Sequence, residues 1–177
     1  MTHPMAASFE PAPEYASPAA RRSVFADIEA AQRAIEFVRP MLERAVADQS
    51  VNQSKVLHIV VMDPAMSPRD SVFEESILIE ASFGLDRERW DADYAGFARA
   101  KARLSWETGC DTHSLQMLAP QRLRSGDSKL WGSVALDGIV VAVSGCLAVY
   151  DEALAGSIAL ALRAEAKIAA AERLGRP

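Results

Sequence analysis

Two histidines outside the first twenty residues could ligate a metal ion or transfer a proton. His113 lies in a polar loop, where an imidazole is accessible to a ligand. His58 interrupts an apolar run, where a hydrogen-bonded core histidine is the simpler interpretation. We therefore take His113 as the candidate metal ligand, with a solvated loop histidine as the alternative.

Cys146 and Lys101 are the candidate nucleophilic and cationic groups. Cys146 follows a predicted strand end and precedes the last helix, where helix amides could lower the pKa of its thiol. The alternative is a small buried apolar residue. Lys101 lies among apolar residues of a predicted helix. We expect it either to hold an anionic group of a ligand or to form an ion pair, for which Asp63 is the candidate partner.

The first half of the chain predicts two helices and two strands. Apolar residues recur at helical spacing from Ser23, the expected N-cap, to Val46, and Pro40 predicts a kink or a restart of this helix. Residues 55–62 are aliphatic at nearly every position, which is typical of a central strand covered on both faces. A second strand is expected within residues 76–82. A second helix begins at Asp91, has Phe97 on its buried face, and ends at Gly109.

The second half predicts a hairpin and a long helix. Residues 130–136 and 139–144 are separated only by Asp137 and Gly138, a pair that readily adopts the positive φ angles of a two-residue turn. The last helix has Asp151 as its expected cap and Glu152 as a first-turn acid. A short helical turn is expected near residues 114–118.

The order of these elements predicts an α+β fold. Neighbouring strands are joined as hairpins, so we expect an antiparallel sheet of about four to five strands packed with helices. Residues 1–20 contain four prolines and little periodic apolar surface, which predicts a flexible tail. We expect the remaining residues, 21–177, to form a single domain.

Composition excludes several classes of function. The 177 residues carry 19 basic and 24 acidic side chains, and a net charge of −5 gives no general attraction to nucleic acid. The apolar runs are far shorter than the roughly 20 residues that a membrane helix needs. The start of the chain has no charged-apolar-small pattern typical of a secretory signal, so we expect a cytoplasmic protein with neither nucleic acid nor membrane as a partner. Its two cysteines cannot form a disulfide scaffold, and we expect reduced thiols.

Two segments resemble the GlcG/HbpS haem-degrading domain family, which includes the C-terminal domain of PduO. They are FARAKARLSWETG (residues 97–109) and WGSVALDGIVVAVSGCLAVYDEALAGSIALAL (residues 131–162). The second is the more specific, with its hairpin, its Val-Ser-Gly strand end and its Asp-Glu helix opening. Residues 55–63 are also similar to the first strand of that family.

The resemblance implies a binding pocket, a ligand and self-association. The ligand would be haem or a comparable hydrophobic, anionic small molecule, and the chain would form a homo-oligomer, at least a dimer. Strand ends converge with the start of the last helix in the resembling fold, which implies a ligand-binding set of Asp63, Lys101, His113, Trp131, Gly132, Ser133, Ser144, Gly145 and Cys146.

This chain departs from the family at the edge of that pocket. Where the family usually has a Gly-Gly-x-Pro type sequence, it has Leu130, Trp131, Gly132 and Ser133, so an indole stands in a loop that could approach a ligand. Three interpretations stay open. The chain is a ligand-binding domain, a pathway enzyme that reuses the fold with an altered pocket, or a cofactor-free oligomeric accessory protein.

Overall fold

The computed structural model describes residues 22–175, so the tail expected at residues 1–20 lies outside the described part of the chain. The helices are α1 (Ile28–Ala47), α2 (Tyr94–Thr108), α3 (Thr112–Leu118) and α4 (Ala148–Leu174). The strands are β1 (Val56–Met62), β2 (Ile77–Gly84), β3 (Ser133–Leu136) and β4 (Ile139–Ser144). Within the described residues, short 3-10 turns at Arg87–Arg89 and Pro120–Arg122 lie in the connections.

The four strands form one antiparallel sheet in the order β2-β1-β4-β3. This confirms the α+β class and its antiparallel sheet. All seven residues of β1 are buried, as the aliphatic run predicts for a strand with a neighbour on each side and a helix layer on each face. Strands β2 and β3 are therefore the two edges of the sheet.

Helices cover both faces of the sheet. On one face α1 and α4 pack together over Leu57, Ile59, Val61 and the odd-numbered residues of β4. On the other face α2 packs over Val60, Met62 and Ala142, using Ala98 and Ala102. The small alanines let α2 lie close to the sheet, which brings the side chain of Lys101 beside the end of β4.

The predicted hairpin is confirmed. Asp137 and Gly138 have φ angles of 52° and 86°, which are the positive values that a two-residue turn between β3 and β4 requires. The predicted end of α2 is confirmed as well, since Gly109 has φ 67° and its amide donates to Ser105. Both predictions depend on local geometry alone.

Several predicted boundaries are wrong. Helix α1 is capped by Asp27, whose carboxylate accepts from the amide of Ala30, while Ser23 caps a separate turn before it. The helix then runs through Pro40 without restarting. Strand β3 begins at Ser133 and not at Leu130, because Gly132 has φ 116° and turns the chain out of the strand conformation.

Two predictions about side chains are also corrected. Helix α4 begins at Ala148, so Asp151 lies inside its first turn and does not cap it; within residues 22–175 no side chain caps this helix. Phe97, expected on the buried face of α2, is 41% exposed.

No helix among the described residues is long and apolar enough to cross a bilayer.

Candidate functional site

A cleft of about 660 Å³ opens at the end of the sheet where β4 leads into α4. Four parts of the chain meet there: the loop before β1, the start of α2, the segment before β3 and the first turn of α4. The lining residues are Gln53, Ser54, Asp91, Tyr94, Phe97, Lys101, Leu130, Ser144, Gly145, Cys146, Leu147, Ala148 and Asp151. Its size is within the range of small-molecule pockets.

The floor of the cleft is an ion pair between α2 and α4. Lys101 Nζ lies 2.8 Å from Asp151 Oδ2 and donates a second hydrogen bond, of 2.9 Å, to the carbonyl of Val143. Asp151 Oδ1 accepts from the amide of Cys146 at 2.9 Å. The pair thus ties both helices to the end of β4.

Burial shifts the proton affinities of both partners. Burial lowers the pKa of Lys101, and the carboxylate of Asp151 only partly opposes this effect. Burial raises the pKa of Asp151 to about 6, in spite of its bonds to Lys101 and to the Cys146 amide. The floor therefore holds a carboxyl group whose pKa is raised well above its ordinary value, beside a lysine whose pKa is lowered.

Gly132 allows the backbone before β3 to approach this pair. A Cβ atom on Gly132 would lie 2.6 Å from the Cβ of Asp151 and 2.9 Å from Lys101 Nζ. Together with a φ of 116°, this leaves glycine as the residue that fits without strain. Gly132 supports the floor from behind and does not line the cleft.

The walls of the cleft are aromatic and aliphatic. Tyr94 and Phe97 come from the first turns of α2, and Leu130 and Leu147 precede β3 and α4. Phe97, Leu130 and Leu147 are each 41–48% exposed, so they present apolar surface at the mouth. The hydroxyl of Tyr94 donates to Asp91 Oδ1 at 2.7 Å.

Hydrogen-bond donors remain available beside the floor. Ser144 is 4% exposed and lines the cleft, and no described residue bonds its hydroxyl. Within residues 22–175 no side chain caps α4, and no residue accepts a hydrogen bond from the amides of Ala148 and Val149, which lie at the positive end of the helix dipole. This combination of donors suits a negatively charged group.

Cys146 does not have the activated thiol that its position beside a helix start suggests. Burial raises the pKa of its thiol to about 11, and the nearby carboxylate of Asp151 acts in the same direction. The amide of Asn52 lies 3.5 Å from the sulfur. Cys146 is therefore part of the cleft wall and is protonated at neutral pH.

Four of the nine predicted site residues line the cleft: Lys101, Ser144, Gly145 and Cys146. Asp63 does not, because it follows the opposite end of β1, about 17 Å along the strand from the position that pairs with Ser144. It contacts Arg22 and the amide of Ser23. The expected Lys101–Asp63 ion pair is therefore wrong.

The other predicted residues lie next to the cleft. Trp131 turns toward α3, where its indole N–H donates to Gln116 at 3.0 Å and its ring lies 4.5 Å from that of His113. His113 Nδ1 is 3.6 Å from a carboxylate oxygen of Glu152. Ser133 is buried, and its amide donates to Thr112. None of these three side chains lines the cleft.

His58 is the core histidine that the sequence favours. Its ring nitrogens lie 2.8 Å from Ser82 Oγ and 3.3 Å from a carboxylate oxygen of Glu80, and burial lowers its pKa. Among residues 22–175 no group of three or more His, Cys, Asp or Glu side chains could hold a metal ion.

Sequence reasoning missed Asn52, which positions the loop before β1, where Gln53 and Ser54 line the cleft. Its amide donates to the carbonyl of Val56 at 2.8 Å, and its oxygen accepts from the amide of Lys55 at 2.7 Å. Lys55 has a φ of 58°, an uncommon value for a lysine, and Asn52 stabilises that turn. An asparagine just before a strand is a turn signal, but it does not indicate which site the turn will border.

No protein-family model matches the chain, and no curated protein or solved structure is significantly similar to it. The resemblance to the GlcG/HbpS family therefore stays a prediction.

Proposed function

We propose that this domain binds a small, hydrophobic, anionic molecule in the cleft between α2 and α4. The observation that carries the proposal is the hydroxyl of Ser144, which no residue within 22–175 bonds and which lines the cleft together with Lys101 at the start of α4. A carboxylate or sulfonate would accept hydrogen bonds there. The third proton of Lys101 adds a further donor, since its bonds within residues 22–175 go to two acceptors.

The apolar walls support the hydrophobic part of this ligand. A flat ring would lie against Tyr94 and Phe97 and cover part of Leu130 and Leu147. Burying such surface supplies most of the binding free energy, while the polar floor fixes the orientation of the ligand. We propose that this binding takes place in the cytoplasm, which the chain's two cysteines support because they are too few for a disulfide scaffold.

Haem is a hydrophobic anion of this class, but no histidine is among the described residues that line the cleft, so none offers an imidazole to haem iron. Tyr94 and Cys146 are the lining side chains of types that ligate haem iron. Burial raises the pKa of each and so disfavours the deprotonated form that binds iron. His113 lies outside the lining. The described residues therefore do not fit an iron-centred role, and the proposal is limited to binding.

A fluorescent aromatic anion tests the proposal. We expect 8-anilinonaphthalene-1-sulfonate to bind one site, and the neutral N-phenyl-1-naphthylamine to bind at least tenfold more weakly. Ser144→Ala should weaken binding of the sulfonate about three- to tenfold, with little change for the neutral compound, because it removes one hydrogen bond to a charged group. Ser157→Ala is the matched control, since the Ser157 hydroxyl donates to a carbonyl of its own helix.

Haemin forms a second arm of this experiment. Haemin that competes with the sulfonate would place haem in the same cleft, whereas a shifted Soret band in the wild type that Tyr94→Phe abolishes would show iron ligation. Equal binding of the charged and neutral naphthalenes, unaffected by Ser144→Ala, would contradict the proposed anion site.

A further inference from the structure

The β3 edge of the sheet is closed by side chains. The carbonyl of Gly132 accepts from the amide of Val143, so Gly132 directs its backbone groups toward β4. In an antiparallel pair this direction alternates along the strand, so the amides and carbonyls of Ser133 and Ala135 point away from β4, at the outer edge of the sheet. Their amides donate to Thr112 Oγ1 at 3.1 Å and to Asp111 Oδ1 at 2.7 Å. The chain preceding and starting α3 thus prevents another strand from pairing with β3.

Within residues 22–175 the β2 edge has no such cover. The amide of Leu85 donates to the carbonyl of Lys55, so Leu85 directs its backbone groups toward the β1 side. Because this direction alternates along an antiparallel strand, Ile79, Ala81 and Phe83 also direct their amides and carbonyls toward β1. The backbone groups of Glu80 and Ser82 must then point outward. No residue within 22–175 forms a hydrogen bond with these outward groups.

A shallow groove follows this open edge. It holds about 170 Å³ between α1 and β2 and is bordered by Ile79, Ala81 and Phe83 of the strand. From α1, the guanidinium of Arg39 lies 5.0 Å from the centre of the Phe83 ring. An added strand would gain both backbone hydrogen bonds and side-chain contacts here.

The sequence of β2 is complementary to itself in one antiparallel register. When Ala81 faces Ala81 of a second copy, Ile79 faces Phe83, and Glu80 faces Ser82. Apolar residues then meet on the α1 face, and a carboxylate meets a hydroxyl on the other. A register centred on Glu80 would instead place two carboxylates directly opposite each other, which is unfavourable.

We propose that two copies of this chain associate through β2, which extends each four-stranded sheet into one of eight strands. The homo-oligomer that the family resemblance implies then has a two-fold axis at Ala81. This interface lies along the α1 side of the sheet edge and shares no lining residue with the cleft. It therefore does not depend on the proposed ligand binding.

Sedimentation velocity and cysteine cross-linking test the interface. At about 50 μM the wild type should sediment as a dimer of the 19.2 kDa chain. Ala81→Asp should produce monomers, because it places two carboxylates opposite each other. Ala164→Asp, the same change at an exposed position of α4, should leave the dimer intact.

The cross-link tests the register itself. In a Cys110→Ser, Cys146→Ser background, Ala81→Cys should form an intermolecular disulfide under mild oxidation, since directly opposed residues have Cα atoms at a suitable distance. Ile79→Cys, which faces Phe83, should not. A monomeric wild type, a dimer that resists Ala81→Asp, or equal cross-linking of the two cysteine variants would overturn the proposal.

Discussion

Lys101 and Asp151 form an ion pair of 2.8 Å across 50 residues of sequence, and their side chains are only 2% and 3% exposed. The pair joins α2 to the first turn of α4 at the floor of the cleft. The contribution of the pair to the stability of the fold depends on both partners, because either charge alone would be buried without an opposite charge beside it.

Removing one partner should therefore cost more than removing both. We expect Lys101→Met to lower the free energy of unfolding by about 3–5 kcal/mol, because it leaves the Asp151 carboxyl unpaired. The double variant Lys101→Met/Asp151→Leu should recover at least half of that loss. Urea denaturation measures both values, and a double variant less stable than the single one would contradict the assigned pairing.

The raised pKa of Asp151 predicts a pH-dependent contribution to stability. The folded-state pKa is about 6 and the ordinary value is 3.8, so the folded protein binds more protons between these pH values. The contribution is thus fully present below pH 4 and is lost as the pH rises through 6. The contribution is on the order of a few kcal/mol at most.

The measurement is the difference in unfolding free energy between the wild type and Asp151→Asn from pH 4 to pH 7. This difference should fall with rising pH, because asparagine does not titrate. Groups with a lowered pKa, such as Glu80, change stability in the opposite direction but are common to both proteins. A difference that is constant across this range would show that Asp151 titrates normally.

Local patterns predicted the parts of this fold that local geometry determines. The Asp137–Gly138 turn and the Gly109 helix end were both correct, because each depends on a few consecutive residues and their allowed φ angles. The aliphatic run of β1 also predicted a buried central strand. The antiparallel sheet followed from the order of these elements.

The site was less predictable because long-range packing determines it. Asp151 is of a residue type that often caps helices, and only the fold shows that it lies inside α4 and binds Lys101. Phe97 fits the apolar spacing of α2, yet it lies at the cleft mouth, where no described element covers it fully. Asp63 directly follows β1 and Ser144 is the last residue of β4. Because β1 and β4 are antiparallel, these two strand ends lie at opposite ends of the sheet.

The hairpin turn predicts a specific cost for a β-branched residue. Gly138→Val should destabilise the protein by about 1–3 kcal/mol, because Gly138 has φ 86° and valine is strained at that angle. The nearest atom to an added Cβ is 4.0 Å away, so strain and not collision is the cause. Gly156→Ala, inside α4 and with 3.9 Å of clearance, should raise the melting temperature. An unchanged melting temperature for Gly138→Val would contradict the turn.

Gly132 offers a test of how the backbone supports the cleft floor. In Gly132→Ala, a new methyl group would lie 2.6 Å from Asp151 Cβ and 2.9 Å from both Lys101 Nζ and the carbonyl of Val143, in addition to the strain of a positive φ. Gly126→Ala is the matched control, because Gly126 has φ 101° and no atom within 4 Å of its added Cβ. Backbone strain of about 1–3 kcal/mol should appear in both variants.

The collision should add about 1–3 kcal/mol in Gly132→Ala alone, since the ion pair must move to accommodate the methyl group. Displacing Lys101 would also alter the floor of the cleft, so the same variant should bind 8-anilinonaphthalene-1-sulfonate more weakly, whereas Gly126→Ala should bind it as the wild type does. Chemical denaturation and fluorescence titration of the two variants supply both comparisons. Equal losses of stability together with equal affinities would show that the ion pair can shift freely, and that Gly132 serves only the backbone conformation before β3.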